Sequence, residues 1–298
     1  MSVFREVVRS LLSLLMLLPV LTNADTTPSN VQELFKKACV DVCKAIDVCS
    51  NGWTAFEKAF SGKNWNDSTN EDYDAYFSVF PLPTNIKDKA LLWTGTDSLQ
   101  TALTSRADLT SSANIVSIMI INRMVTSYNV TAWCGNANGG IDYSSTNCPS
   151  YTPGTPTPVY TFYATFSYRL ADNSAGVVFF LTENTFRNTS VFAQVELPRL
   201  LINAAVTKIV VLNVYKYLNG TCNQTTSPLH NIKAKAITGG KAFSCVDVYG
   251  DASLNPPSDT LLTALTQVIK EQTSKGFLVN ISGTTVLCVI LLLTTILF

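Results

Sequence analysis

The run Gly176-Val177-Val178-Phe179-Phe180-Leu181 decides the fold class, because a continuous apolar run of this kind is typical of a strand that is buried on both faces. Two similar runs follow at Ile209–Val214 and Ala242–Val248. The segments between the three runs are long enough to hold helices or other crossovers. The second half of the chain therefore predicts a parallel α/β sheet, closed by an amphipathic helix over Ser258–Lys270.

The first half of the chain is predicted to be mainly helical. Ser29 or Asn30 can cap a helix whose apolar positions between Val31 and Val42 follow helical spacing. A second apolar stripe of this kind runs from Trp53 to Phe60, and a proline-rich connection occupies 149–158. The predicted parts are a helical part over 25–148 and an α/β part over 159–273.

Composition excludes several function classes. The 298 residues contain 21 Lys and Arg against 21 Asp and Glu, so no basic field is present to hold a nucleic acid. The single histidine, His230, excludes a multi-histidine metal cage and leaves one imidazole base at most. No GxSxG motif accompanies it, so a solvated loop histidine is the favoured interpretation. The glycines at 135, 139 and 140 form neither a GxGxxG motif nor a phosphate-binding loop.

Both ends of the chain are predicted to carry targeting signals. Residues 1–24 are predicted to be a signal peptide, with Arg5 and Arg9 near the start and a central apolar stretch. The final run Val286–Phe298 is almost wholly apolar, and the small residue Ser274 precedes a short spacer before it. This arrangement predicts a GPI-attachment signal over 274–298, with a transmembrane tail as the alternative.

The sequence also predicts an oxidising compartment. Cys288 lies in the tail, which leaves seven cysteines, an odd number, in the mature chain. Cys39, Cys43 and Cys49 could mimic a metal cluster, but a disulfide between Cys49 and one of the other two is the favoured interpretation. Five sequons predict glycosylation at Asn66, Asn129, Asn188, Asn219 and Asn223.

Glu196 is the strongest candidate for chemistry. Its neighbours in Ser190-Val191-Phe192-Ala193-Gln194-Val195-Glu196-Leu197-Pro198 are largely apolar, so an ionised carboxylate there carries a desolvation cost unless it has a partner or a task. The alternative interpretation is that Glu196 faces water at the edge of a strand. Trp93 and Tyr163 are candidates for stacking on a flat ring, with ordinary core packing as their alternative.

Several segments together resemble the ADP-ribosyl cyclase family, whose members consume NAD. The segments are Cys49–Phe60, Leu92-Trp93-Thr94-Gly95, Trp133-Cys134-Gly135, Phe162–Ser167 and Phe192–Pro198, and the resemblance extends over residues 30–270. It implies a helical N-terminal part joined to a flavodoxin-like C-terminal parallel sheet, an α+β to α/β fold with the site in the cleft between the two. Within the family, the chain is most similar to GPI-anchored NAD-catabolising surface enzymes of the schistosome type.

The resemblance also implies roles for individual residues. Glu196 matches the catalytic glutamate, which stabilises a developing oxocarbenium ion. Trp93 and Tyr163 match two tryptophans that flank the nicotinamide ring. Further substrate-binding positions are implied at Thr94, Gly95, Ser167, Ser190 and Phe192. The implied disulfides are Cys134 with Cys148, Cys222 with Cys245, and Cys49 with Cys39 or Cys43, and one thiol is left unpaired or bridges a second chain.

The chain departs from the family pattern in the segment Thr110–Ile115. It lacks an acidic Thr-Leu-Glu-Asp motif, whose glutamate tunes cyclisation against hydrolysis. We therefore expect a cell-surface NAD glycohydrolase, GPI-anchored on the outer face of the plasma membrane, with at most minor cyclase activity. The resemblance implies no metal and no cofactor besides the substrate NAD. The sequence leaves the formation of a homodimer as an open alternative. The alternative is a catalytically weakened nucleotide-binding protein on the same scaffold.

Overall fold

The computed structural model describes residues 28–135, 141–143, 147–149, 151, 155, 157–183, 186–216 and 221–274. The predicted signal peptide, the predicted anchor signal beyond Ser274 and the sequon at Asn219 lie outside these residues. None of the helices among the described residues has the length and apolar character that crossing a bilayer demands.

Nine helices and two shorter helical turns are found among the described residues. The N-terminal part contains α1 (Pro28–Cys43), α2 (Ile46–Lys58), a 3-10 turn (Asn70–Tyr73), α3 (Asp74–Val79), α4 (Asp97–Arg106) and α5 (Val116–Tyr128). The C-terminal part contains α6 (Pro158–Asp172), a π-helical turn (Phe192–Glu196), α7 (Leu197–Ile202), α8 (Pro228–Thr238) and α9 (259–274).

The described strands form a parallel sheet and a separate two-stranded ribbon. Their bounds are β1 (Ile86–Lys87), β2 (Ala90–Trp93), β3 (Cys134–Gly135), β4 (Ile141–Asp142), β5 (Ser174–Glu183), β6 (Val206–Tyr215) and β7 (Ala242–Tyr249). Strands β5, β6 and β7 pair in that order, and both β1 and β2 pair with the other edge of β5. Every pairing in this sheet is parallel, whereas β3 and β4 are antiparallel.

The predicted fold class is confirmed. The three apolar runs lie in β5, β6 and β7, and the predicted closing helix over Ser258–Lys270 corresponds to α9. The sequence did not indicate strands at β1 and β2, because two and four residues are too short to show strand periodicity. These two strands come from the helical part of the chain and pair with β5, so hydrogen bonds of the sheet join the two predicted parts.

The central strand β5 is buried on both of its faces. Val178 and Phe180 point into an aromatic core built mainly from the N-terminal helices and α6. Phe179 and Leu181 alternate with them and pack into a second core, which includes residues of α4 and α9. Burial on both faces explains the continuous apolar run that distinguishes this strand in the sequence.

Three disulfides form among the described cysteines. They are Cys39–Cys49, Cys134–Cys148 and Cys222–Cys245, which confirms the expected pairing and settles the open choice in favour of Cys39. The remaining thiol, Cys43, is half-buried, and its Sγ lies 3.9 Å from Sγ of Cys39. No group of three or more potential metal ligands occurs in the described part of the chain.

Candidate functional site

A cavity of about 1080 Å³ opens at the carboxyl ends of β2 and β5. Residues of helices α5 and α6 also line the cavity, so it lies between these helices and the sheet, where ligands bind in open α/β folds. Seven of the eight residues predicted to act on the substrate line it: Trp93, Thr94, Gly95, Tyr163, Ser167, Ser190 and Glu196.

Glu196 is placed in the cavity wall by an irregular turn. The backbone N–H of Leu197 bonds to the carbonyl of Phe192, five residues earlier, and Pro198 lies in the first turn of α7. Proline has no backbone N–H, so it cannot donate the regular α-helical hydrogen bond to the carbonyl four residues earlier. This missing bond favours a π-helical turn at this point. The turn aims the Glu196 side chain inward, where it is only 5% exposed.

The environment of Glu196 opposes its ionisation. Burial raises the pKa of this carboxyl to about 8, and a side-chain hydrogen bond with Ser167 lowers the pKa by a smaller amount. The Oε2 atom is buried without a hydrogen-bond partner in the described structure. A ligand with a hydroxyl group would donate the missing hydrogen bond to Oε2. A cationic ligand would favour the ionised form of the carboxyl.

Two aromatic side chains form further parts of the wall, and each is oriented by a hydrogen bond. The indole Nε1 of Trp93 donates to Oγ of Ser112 at 2.9 Å. The hydroxyl of Tyr163 donates to Oδ1 of Asn122 at 3.1 Å, and its ring meets the edge of Tyr151 at a centroid distance of 6.0 Å. Fixed aromatic faces of this kind are suited to a flat, electron-poor ring.

The turn after β2 brings backbone close to the end of β5. The N–H of Thr94 bonds to the carbonyl of Leu181 at 3.1 Å, and Gly95 follows with a φ of +70°, which favours glycine. A Cβ atom at Gly95 would also lie 3.3 Å from Oε1 of Glu183. Gly95 therefore packs closely against an acidic side chain at the end of β5.

Phe192 differs from the other predicted binding residues, because it lies behind the cavity wall. Its ring stacks on Phe180 at a centroid distance of 3.5 Å and contacts the edge of Phe186. At 1% exposure it belongs to the core, from which it supports the turn that carries Glu196. His230 lies on α8 and does not line the cavity.

Asp97, Asn122 and Arg187 are among the polar residues that line the cavity and that the sequence did not indicate. Asp97 begins α4, Asn122 lies on α5, and Arg187 follows the end of β5. With Glu196, Asp97 and Arg187 are the charged side chains among the described residues of the cavity wall. Each belongs to a different element, so no local motif marks them in the sequence.

The fold and the cavity define an α/β protein with an enzyme-like cleft. A family model described as ADP-ribosyl cyclase matches residues 28–256, and the chain therefore belongs to the ADP-ribosyl cyclase family. A search of the curated proteins finds no significant match.

Solved structures of similar fold agree with this assignment. The structure of Aplysia cyclase complexed with the substrate NGD and the product cGDPR is 22% identical, covers 73% of this chain and 88% of that chain, and has a TM-score of 0.57. A structure of CD38 that addresses its catalytic mechanism is 19% identical, covers 78% and 94%, and has a TM-score of 0.61. Porcine CD38 with a covalent intermediate is 20% identical, covers 74% and 96%, and has a TM-score of 0.56. At these identities the likeness establishes the fold.

Proposed function

We propose that the protein is a cell-surface NAD glycohydrolase that cleaves NAD to nicotinamide and ADP-ribose. The observation that carries this proposal is the buried carboxyl of Glu196 in a cavity that Trp93 and Tyr163 also line. Membership of the ADP-ribosyl cyclase family supports NAD as the substrate, as does the structure of Aplysia cyclase with its substrate NGD.

The proposed reaction breaks the bond between the nicotinamide nitrogen and C1′ of the adjoining ribose. The bonding electrons move to the nitrogen, which becomes neutral, while positive charge develops on the ribose. An ionised Glu196 stabilises that charge in a site shielded from water, where electrostatic effects are strong. Water then attacks C1′ and loses a proton to solvent, which yields ADP-ribose without a further cofactor.

Substrate binding supplies the condition for ionising Glu196. In the free protein a pKa of about 8 keeps much of this carboxyl protonated at neutral pH. The nicotinamide ring of NAD carries a positive charge, and an opposite charge nearby favours the carboxylate. The aromatic faces of Trp93 and Tyr163 attract the same cation. Binding and activation of the carboxylate are therefore coupled in this proposal.

The second candidate is a nucleotide-binding surface protein with weakened catalysis. It is favoured by the segment Thr110–Ile115, in which Ser112 occupies the cavity wall and no acidic residue is present. The same segment supports the proposal that cyclic ADP-ribose is at most a minor product.

We further propose a GPI-anchored, glycosylated protein on the outer face of the plasma membrane, of the type of the schistosome NAD-catabolising surface enzyme. The described sequon asparagines Asn66, Asn129, Asn188 and Asn223 are exposed, as glycosylation requires. The three disulfides suit an extracellular protein.

Phosphatidylinositol-specific phospholipase C should release the protein from cells, whereas retention despite enzyme access would indicate a transmembrane tail. A homodimer is compatible with this proposal.

Chromatography of products tests the activity. The purified protein is incubated with NAD, and nicotinamide, ADP-ribose and cyclic ADP-ribose are separated. Nicotinamide and ADP-ribose in equal amounts, with little cyclic product, are expected. A folded protein that binds NAD without releasing nicotinamide would instead establish the nucleotide-binding alternative.

A further inference from the structure

We infer that Arg187 binds the pyrophosphate of the dinucleotide and so sets a preference for phosphorylated substrates over simple nucleosides. This inference rests on the proposed function, because it assigns a further contact to the same cavity. Arg187 is the one cation among the described residues that line the cavity. It is exposed and, within the described structure, its side chain makes no ion pair and no hydrogen bond.

The backbone on both sides of Arg187 is fixed. On one side, Phe186 is buried against Phe180 and its N–H bonds to the carbonyl of Glu183 at 3.1 Å. On the other side, the N–H of Ser190 bonds to the Arg187 carbonyl at 3.0 Å, which closes a turn. The guanidinium is therefore carried by an anchored loop and is available for a ligand, a combination that lowers the entropic cost of binding.

The cavity wall holds both acidic and basic side chains, as a dinucleotide with a cationic ring and an anionic pyrophosphate requires. Burial raises the pKa of Tyr163, with a smaller contribution from Asp97, and burial raises the pKa of Tyr151, with a smaller contribution from Glu196. The cationic nicotinamide ring fits beside these aromatic and acidic side chains. The pyrophosphate carries two negative charges and fits a planar guanidinium, which can donate two parallel hydrogen bonds to phosphate oxygens.

The test compares Arg187→Gln and Arg187→Lys with wild type on two substrates. NAD contains the pyrophosphate, whereas nicotinamide riboside has the same scissile bond and no phosphate. Loss of a charge-assisted contact predicts about a 10- to 100-fold lower kcat/KM for NAD in Arg187→Gln, mainly through KM. Nicotinamide riboside should be cleaved as well as by wild type, and Arg187→Lys should recover part of the loss. An equal loss on both substrates, or no loss on NAD, would overturn the inference.

Two further measurements separate this inference from the proposed function. Lys235→Gln removes the same charge from an exposed position on α8 that does not line the cavity, and it should leave NAD kinetics unchanged. Calorimetric binding of ADP-ribose requires no turnover. If wild type does not cleave NAD, weaker ADP-ribose binding by Arg187→Gln, with Lys235→Gln unaffected, still supports the inference. Equal ADP-ribose binding by all three proteins contradicts it.

Discussion

The indole N–H of Trp93 donates a hydrogen bond of 2.9 Å to the hydroxyl of Ser112, which fixes the orientation of an aromatic ring in the cavity wall. Trp93 ends β2, whereas Ser112 lies on the connection between α4 and α5. The bond joins an edge strand of the sheet to the connection that precedes α5. The predicted position of the nicotinamide ring therefore depends on a contact between the sheet and this connection.

A double-mutant cycle measures the value of this contact. Ser112→Ala should raise KM for NAD by about 2- to 10-fold, because a neutral hydrogen bond contributes roughly 0.5–1.5 kcal/mol. Trp93→Phe keeps an aromatic face but removes the N–H. In that background Ser112→Ala should have no further effect. Independent, additive effects of the two substitutions would show that the hydrogen bond does not position the ring for the substrate.

The pH dependence of activity reports the state of Glu196. If the ionised carboxylate is required, kcat/KM should rise with pH and level off above about 8, the pKa of this group in the free protein. The hydrogen bond from Ser167 lowers that pKa, so Ser167→Ala should move the rise to higher pH. A pH profile that is identical in wild type and Ser167→Ala would show that Ser167 does not tune this carboxyl.

The stability of the fold should depend on the same titration. The folded protein keeps the Glu196 proton up to about pH 8, whereas the unfolded chain releases it near its ordinary pKa of 4.5. The folded state therefore binds more protons in this window, and the free energy of unfolding falls as pH rises from 4.5 to 8. Glu196→Gln removes the effect.

We accordingly expect Glu196→Gln to be more stable than wild type at pH 8 and above. The difference should be a few kcal/mol, with about 5 kcal/mol as the upper limit, because one pKa unit corresponds to about 1.4 kcal/mol. Near pH 4 the difference should vanish. Urea unfolding of both proteins at the two pH values measures it, and a difference that does not change with pH would refute the raised pKa.

Cys43 should be the reactive thiol of the described region. It is the free cysteine there, and burial raises the pKa of its thiol, so alkylation at pH 7 should be slower than that of an exposed cysteine. Peptide mass spectrometry after alkylation without reductant should find the label at Cys43, and Cys43→Ser should abolish it. Label at Cys39 or Cys49 in the folded protein would contradict the assigned disulfide.

Much of the fold is predictable from sequence because it rests on strong local patterns. Burial of β5 on both faces produces a continuous apolar run, and the apolar neighbours of Glu196 already indicate its desolvation. Strands β1 and β2 are too short to carry such a pattern, and they exist because β5 offers them an open edge. Their assignment needs the tertiary structure.

The candidate site is predictable only in part, for a similar reason. Trp93, Tyr163 and Glu196 were selected because each lies in a recognisable motif, and the structure brings them to one cavity. Asp97, Asn122 and Arg187 lie in no recognisable motif, and only the packing of separate elements places them in the cavity wall. Phe192 lies within a motif as well, but stacking on Phe180 commits its ring to the core.

The most direct test of the account compares wild type with Glu196→Gln in NAD cleavage. The substitution removes the charge at nearly constant size, and circular dichroism together with the three intact disulfides verifies that the variant is folded. Wild type should release nicotinamide and ADP-ribose, and Glu196→Gln should be slower by a factor of about 100 or more, since it loses the main electrostatic stabilisation. Undiminished cleavage of NAD by the folded variant would contradict the central role of Glu196.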